Sequence, residues 1–156
     1  HHRSPGLVDV ALTEPRLTAM VIADGVHVSA SALRLLVRAK GPAGIALVTD
    51  SVTHQQRTWR LHRQGAGGAY YTQGGVLAGS ALTMIEAVRN AVRLGGAPLE
   101  EAVRMASETP AHLLGLVRER GRLSAGQRAD LVVFDGGFRV WLTIVNGRIV
   151  YQREKP

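Results

Sequence analysis

Three short apolar runs, each ending in polar or small residues, constrain the fold of this 156-residue chain most strongly. Residues 19–23 end at Asp24, residues 44–48 end at Thr49-Asp50, and residues 75–78 end at Gly79-Ser80. The first and third runs lead into helical patterns, and the second leads into a long polar connection. Functional groups lie at the carboxyl ends of the strands in parallel α/β sheets. The pattern therefore predicts that Asp50, and His27 just beyond Asp24, lie at such an edge.

Helical patterns follow or separate these runs. Residues 29–40 are predicted to form a helix, with a serine as its N-cap and a Gly-Pro pair as its end. A second helix is predicted to start at the cap Ser80. A third starts at Pro98, has acids in its first turn, and is ended by Pro110. Residues 52–72 are polar and glycine-rich, which suits an active-site loop or a small β-excursion.

The last part of the chain has the apolar period of β-strands. Asn146-Gly147 separates the β-branched run 141–145 from the run 148–151, and this pair is a strong hairpin signal because both positions tolerate a positive φ. We therefore divide the chain into an α/β part, residues 1–120, and part of a small β unit, residues 121–156.

The length of the chain limits this α/β interpretation. A closed βα-barrel takes about 250 residues, and three βα units in a chain of 156 residues cannot close one. We expect either an open sheet or the C-terminal piece of a longer protein. A missing half would leave apolar sheet edges and helix faces exposed.

Composition narrows the function classes. The net charge of +7 invites a nucleic-acid partner, but the arginines are spread over several elements and aromatic residues make up only 4% of the chain. An anionic small substrate or a general bias toward arginine explains the charge equally well, so we expect no nucleic-acid partner. The chain has no cysteine, which excludes thiolate metal sites. No apolar stretch reaches the roughly 18 residues of a membrane helix, so we expect no membrane partner and a cytoplasmic location.

Several residues could carry chemistry, and each also has a structural interpretation. Asp50 is either catalytic or the cap of a following helix or turn. His27 is a ligand, a substrate hydrogen-bond donor or a structural histidine, and Arg3 either binds an anion or is simply exposed. Residues 77–80 bring backbone N–H groups to a helix start, although close strand–helix packing explains the glycine equally well. Three histidines are interpreted as surface or structural: His54, His62 and His112.

Five ordered motifs resemble those of N-acetylglucosamine-6-phosphate deacetylases, which belong to the amidohydrolase superfamily. The resemblance runs nearly end to end, and five motifs in order are far more specific than any one of them. The motifs are His2-Arg3-Ser4-Pro5-Gly6, Ile22-Ala23-Asp24-Gly25-Val26-His27, Leu47-Val48-Thr49-Asp50, Leu77-Ala78-Gly79-Ser80-Ala81-Leu82-Thr83-Met84 and Gly126-Gln127-Arg128-Ala129-Asp130-Leu131-Val132-Val133.

The resemblance implies a metal-dependent hydrolase that converts N-acetylglucosamine 6-phosphate to glucosamine 6-phosphate and acetate in amino-sugar catabolism. It also implies the fold: C-terminal βα units of a TIM-like (β/α)8 barrel, followed by strands of a small β-sandwich domain. Asp50 matches the catalytic aspartate, and Arg3 and His27 match groups that hold the sugar phosphate. A substrate-contacting backbone stretch is matched by Leu77, Ala78 and Gly79.

The chain departs from the family pattern in two respects. The main ligands of the divalent metal (Zn, Fe or similar), a Glu and two His, lie upstream of Arg3 in the family. We therefore expect no metal ligand in this chain, with Asp50 placed near the ion. The connection from Asp50 to Leu77 is also shorter than is common. The resemblance implies a homodimer for the full-length protein and an inactive isolated chain. The alternatives are a non-catalytic basic binding or interaction module, or another amidohydrolase.

Overall fold

The computed structural model describes residues 3–52, 62–64 and 68–154. Its elements, in chain order, are α1 (Leu7–Thr13), β1 (Ala19–Ile22), α2 (Ala30–Lys40), β2 (Ile45–Val48), β3 (His62–Gln64), β4 (Ala69–Tyr71), β5 (Leu77–Ser80), α3 (Met84–Arg93), α4 (Leu99–Ala106), α5 (Glu108–Leu113), β6 (Leu131–Phe134), β7 (Val140–Val145) and β8 (Arg148–Gln152). The chain is therefore an α/β protein with small sheets, and the strands β1 and β2 are parallel, as the apolar runs predicted.

The core lies between the parallel pair β1–β2 and the helices α2, α3 and α4. Val21 and Ile45 from the strands, Leu33 from α2, Ala91 from α3 and Met105 from α4 are all at most 3% exposed. These residues belong to one cluster of buried apolar side chains. Packing of the helices on the sheet thus fixes the positions at which β1 and β2 end.

Helix α2 confirms the prediction for residues 29–40. The Ser29 hydroxyl accepts a hydrogen bond from the backbone N–H of Ala32 at 3.3 Å, and Ser29 is the N-cap. Such a cap satisfies an N–H group that has no partner within the helix. Gly41, with φ of 62°, ends the helix, because this left-handed conformation favours glycine.

The prediction that Ser80 caps the next helix is wrong. The strand begins two residues later than predicted and extends to Ser80, and α3 starts only after the N-cap Thr83. The backbone N–H of Thr83 donates to Glu86 Oε2 at 2.9 Å, which forms a capping box. The Thr-x-x-Glu spacing is a stronger start signal than a lone serine. Ser80 therefore belongs to the end of β5 and not to the start of α3.

The prediction that Pro110 ends a helix is also wrong. Helix α4 already ends at Ala106, and Pro110 is the third residue of the short helix α5. A proline is tolerated there because N–H groups of the first helical turn have no intrahelical acceptor. The hydroxyl of Thr109, which is 5% exposed, donates to the carbonyl of Pro42 at 2.7 Å and fixes α5 beside β2.

The β-excursion predicted for the connection 52–72 is confirmed where the structure describes it. Strand β3 pairs antiparallel with β4, and β4 pairs antiparallel with β5. Residues 53–61 and 65–67 of this connection lie outside the described residues.

The C-terminal hairpin prediction is confirmed. Strands β6, β7 and β8 form an antiparallel sheet in that order, and Asn146 and Gly147 join the last two with φ values of 51° and 77°. Positive φ at both positions matches the right-handed twist of the strands. Phe138, in the turn between β6 and β7, packs against the core cluster and connects this sheet to the α/β part.

Large apolar side chains are exposed at several places, as a piece of a larger domain would show. Leu7, Met20, Val76, Ile149 and Val150 are each at least 60% exposed. They lie on α1, on β1, before β5 and on β8. In the described part of the chain, no helix combines the length and apolar character needed to cross a membrane.

Candidate functional site

Three strand ends meet at one edge of the α/β part. Strands β1 and β2 run parallel, and an isolated parallel bridge between Ser51 and Ser80 joins the continuation of β2 to the end of β5. This places the turn that contains Asp24 and His27, the residue Asp50 and the Gly79-Ser80 pair at the same carboxyl edge. Carboxyl ends of parallel strands are the usual location of functional groups.

Asp50 is held in an unusual backbone conformation at this edge. Its φ is 48°, in the left-handed region that aspartate tolerates better than most residues. Its carbonyl accepts a hydrogen bond from the N–H of Ser80 at 2.8 Å, and the N–H of Val52 donates to the Ser80 carbonyl at 3.0 Å. Asp50 is exposed, and no helix begins in the described residues that follow it, 51–52. The helix-cap interpretation therefore finds no support in this segment.

Ser80 connects the two strand ends from a fully buried position. Its hydroxyl donates to the carbonyl of Thr49 and accepts from the N–H of Leu82 at 3.1 Å. A buried hydroxyl must be hydrogen-bonded to offset its lost hydration. Ser80 thus fixes the backbone on both sides of Asp50 relative to β5. The sequence predicted that Ser80 caps a helix, and nothing in the local pattern indicated this contact with Thr49.

Gly79 is required by the same contact. Its φ is 114°, and a Cβ atom placed on it would lie 2.9 Å from Val52 Cγ1 and 3.2 Å from the Asp50 carbonyl oxygen. The glycine therefore permits the close approach of β5 to Asp50. Leu77 and Ala78 precede it on β5 and are partly accessible, so their backbone borders the same edge.

Asp24 and His27 form a hydrogen-bonded pair in the turn after β1. Asp24 Oδ1 accepts from the N–H groups of Val26 and His27, both at 2.8 Å, and Oδ2 lies 2.6 Å from His27 Nδ1. The Asp24 side chain is inaccessible, and that of His27 is 15% exposed. Burial acts to raise the pKa of Asp24, but these hydrogen bonds outweigh burial and lower the pKa below its ordinary value.

The turn itself is anchored by α3. Asn90 Nδ2 donates to the carbonyl of Ala23 at 2.8 Å across 67 residues of sequence. Gly25, with φ of 78°, lies close to the Leu94 side chain. Sequence reasoning singled out His27 and treated Asp24 only as the end of the strand. The signal was present, because an Asp-Gly pair whose carboxylate accepts hydrogen bonds from backbone N–H groups two and three residues on is typical of an Asx turn.

Arg3 lies on a separate segment. It is exposed in a turn shortly before α1, a helix that the sequence did not predict. The N–H of Gly6 donates to Asp9 Oδ2 at 2.7 Å, which stabilises the start of α1. Of the residues expected to form the site, the structure brings Asp50 and Gly79 into contact and gives His27 a buried partner.

Of the three other histidines that the sequence analysis considered, only His112 has a side chain that the structure describes. His112 has a side chain that is 55% exposed and lies 3.9 Å from Glu108, which is a surface position. His54 lies outside the described residues, and His62 is described by its backbone only. Across residues 3–52, 62–64 and 68–154, no group of three or more His, Asp or Glu could hold a metal. The exposed carboxylate of Asp50 suits a divalent cation as one oxygen donor, and further ligands would have to come from elsewhere.

The chain as a whole is similar to known proteins. The chain belongs to the amidohydrolase family, whose family model matches residues 1–150. N-acetylglucosamine-6-phosphate deacetylase of Bos taurus is 38% identical over 99% of this chain and is covered over 41% of its own length. The crystal structure of N-acetylglucosamine-6-phosphate deacetylase from Pasteurella multocida superimposes with a TM-score of 0.87 at 32% identity, over 96% of this chain and 40% of that one.

A shorter relative also matches. A protein of Escherichia coli K12, named provisionally as an N-acetylgalactosamine-6-phosphate deacetylase, is 36% identical over 96% of this chain, which covers 92% of its length. By contrast, the chain spans about 40% of the length of the first curated relatives it matches.

Proposed function

We propose that this chain forms the C-terminal part of a metal-dependent deacetylase that hydrolyses N-acetylglucosamine 6-phosphate to glucosamine 6-phosphate and acetate. The observation that carries the proposal is Asp50, an exposed acid whose backbone carbonyl is held at the end of β2 by the N–H of Ser80. The relatives named for this reaction support it. The likeness to a relative named for the galactosamine epimer makes N-acetylgalactosamine 6-phosphate the second substrate to test.

The proposal extends to the architecture of the full-length protein. Residues 1–120 would be the last βα units of a TIM-like barrel, and residues 121–156 would be strands of a small β-sandwich. The exposed apolar residues on α1, β1 and β8 are consistent with surfaces that the rest of such a protein covers. We further propose a cytoplasmic homodimer, with the main metal ligands upstream of Arg3.

Asp50 would serve as the acid–base group. Hydrolysis of an amide needs a proton removed from water and a proton delivered to a poor leaving amine. A divalent cation bound at such a site would lower the pKa of water toward about 7. The Asp50 carboxylate would take the proton from the attacking water and then deliver it to the leaving nitrogen, so that one group serves both steps. The contact with Gly79 and Ser80 would hold this carboxylate in place.

Arg3 and His27 would recognise the 6-phosphate. A guanidinium matches two phosphate oxygens with parallel donors, and an imidazole adds a further donor. Leu77, Ala78 and Gly79 would contact the sugar through the β5 backbone. Recognition of the phosphate would be separate from the chemistry at Asp50, so the two functions can be tested independently.

The test is acetate release by the full-length protein with added divalent metal. We expect hydrolysis of N-acetylglucosamine 6-phosphate, a lower kcat/KM for N-acetylglucosamine, and no activity from the 156-residue chain alone because the main metal ligands are absent from its described part. N-acetylgalactosamine 6-phosphate is assayed in parallel, and the two kcat/KM values show which substrate is preferred. Failure to hydrolyse either phosphorylated substrate would contradict the proposal.

A further inference from the structure

We propose that Asp24 is a positioning residue that fixes which ring nitrogen of His27 carries the proton, and so makes recognition of the substrate phosphate by Nε2 a property of the protonated ring. The inference rests on the proposed role of His27 at the 6-phosphate. It concerns a residue that the sequence motifs marked only as the end of a strand.

The hydrogen-bond geometry determines the direction of the contact. An ionised carboxylate is an acceptor only, so the 2.6 Å contact between Asp24 Oδ2 and His27 Nδ1 requires a hydrogen on Nδ1. The other carboxylate oxygen is occupied by the N–H groups of Val26 and His27. The hydrogen bonds that lower the pKa of Asp24 keep it ionised at neutral pH.

This direction has a consequence at the opposite side of the ring. A neutral imidazole carries one N–H, and here Nδ1 holds it, so Nε2 presents a lone pair. A phosphate oxygen is also an acceptor, and the neutral ring therefore has no hydrogen to donate to it. The protonated ring donates from both nitrogens and carries a charge opposite to that of the phosphate.

Asp24 and His27 are held in place, so that Nδ1 of His27 stays the donor and Asp24 stays the acceptor. The Asp24 side chain has no accessible surface, and the bond from Asn90 to the carbonyl of Ala23 fixes the residue before it. Solvent therefore cannot replace Asp24 as the partner of Nδ1 without opening the turn.

Other charged groups on the surrounding elements have their own contacts. Arg34 of α2 donates to the carbonyl of Leu94 at 3.4 Å. On α3, Arg89 lies 3.9 Å from Glu86, and the Arg93 guanidinium lies over the Phe138 ring at 5.8 Å. The other acid at this edge is Asp50, at the end of β2. Among the residues that the structure describes, Asp24 is thus the charged group in hydrogen-bond contact with the ring.

The decisive variant is Asp24→Asn in the full-length protein. The amide oxygen can keep both backbone hydrogen bonds, while the amide N–H₂ group faces Nδ1 and favours the neutral ring with its proton on Nε2. The matched control is Asp135→Asn, because Asp135 Oδ1 also accepts two backbone N–H bonds, from Gly137 and Arg139, but has no histidine partner.

The readout is kcat/KM against pH for N-acetylglucosamine 6-phosphate, divided by kcat/KM for N-acetylglucosamine. The ratio cancels the effects of pH on the chemical step, which both substrates share, and comparing proteins at each pH cancels the effect of pH on the substrate phosphate. For the wild type and Asp135→Asn, the ratio should fall as the pH rises, because the neutral ring has no hydrogen on Nε2 to donate to the phosphate. For Asp24→Asn the ratio should be nearly flat. The same slope in all three proteins would overturn the inference.

A second measurement requires neither a folded Asp24→Asn protein nor catalytic turnover. ¹⁵N NMR of histidine-labelled wild-type protein, with the His27 signals assigned by their loss in His27→Gln, reports which nitrogen is protonated in the neutral ring. We expect the proton on Nδ1, and a proton on Nε2 would overturn the inference. Equal effects of His27→Gln on both substrates would instead contradict the proposed phosphate role, a result distinct from the position of the proton.

Discussion

Substitution of Gly79 by alanine should damage catalysis through the backbone of Asp50. Apolar carbon atoms in contact normally lie about 3.5–4.0 Å apart, and the new Cβ would lie 2.9 Å from Val52 Cγ1 and 3.2 Å from the Asp50 carbonyl oxygen. The Val52 methyl must therefore withdraw by about half an ångström or more. The Asp50 carbonyl must move by a few tenths of an ångström while it is still bound by the Ser80 N–H at 2.8 Å.

The chain offers a matched control in Gly75→Ala. Gly75 also has a positive φ, 78°, but a Cβ atom there would meet no atom within 4 Å. Both substitutions place a side chain in a left-handed conformation, at a cost of about 1–2 kcal/mol in the free energy of unfolding. Only Gly79→Ala adds contacts with Val52 and Asp50, so the comparison tests these contacts against the general cost of a side chain at a positive φ.

The assay is kcat/KM for N-acetylglucosamine 6-phosphate in the full-length protein at a fixed metal concentration. A displacement of about 1 Å in a catalytic group can cost about 100-fold in rate, and the overlap here is somewhat smaller. We expect a loss of about 10- to 100-fold for Gly79→Ala and little change for Gly75→Ala. Equal kcat/KM values for the two variants would refute the argument that Gly79 positions Asp50.

Three further predictions concern the core, an ion pair and the phosphate. Met105→Ala should lower the free energy of unfolding by about 2–5 kcal/mol, because Met105 is fully buried, whereas Leu123→Ala, at an 88% exposed position, should change it by less than about 0.5 kcal/mol in a denaturant titration. Hydrogen bonds from the backbone and side chain of Arg139, and from neighbouring groups, lower the pKa of Asp135 to about 2 from 3.8. Its stabilising contribution should therefore be complete above pH 3.8 and be lost as the pH falls toward 2, and a ¹³C NMR titration of its carboxyl near the ordinary value would contradict this. Arg3→Ala should raise KM for the 6-phosphate by an amount worth about 1.5–3 kcal/mol and leave N-acetylglucosamine nearly unaffected, while equal losses on both substrates would indicate a structural role for Arg3.

Elements that depend on local pattern were predictable from the sequence. Helix α2 has its cap, apolar face and glycine stop within residues 29–41, and the last hairpin depends on Asn146-Gly147. Asp50 was predictable as a strand-end acid for the same reason, since the apolar run before it ends where the strand ends. In each case the interactions that decide the structure lie within a few residues of each other.

The errors occurred where distant contacts decide the structure. Ser80 has the local features of a helix cap, but its hydroxyl is bound to Thr49, 31 residues away, and the helix begins after Thr83. The Asx-turn pattern at Asp24 is local, but its burial, at 6% exposed, comes from tertiary packing that the sequence does not show. A single sequence shows the type of a residue but not which distant group will form a hydrogen bond with it.

The central claim, that this chain carries the acid–base group of a deacetylase, is tested most directly by Asp50→Asn in the full-length protein. Asparagine keeps the shape of the side chain but cannot accept and return a proton. We predict that kcat for N-acetylglucosamine 6-phosphate falls by at least about 100-fold, while the bound metal, measured by elemental analysis on the same sample, is largely retained. A kcat within a few-fold of the wild type would contradict the account, because Asp50 would then be only a structural residue at the end of β2.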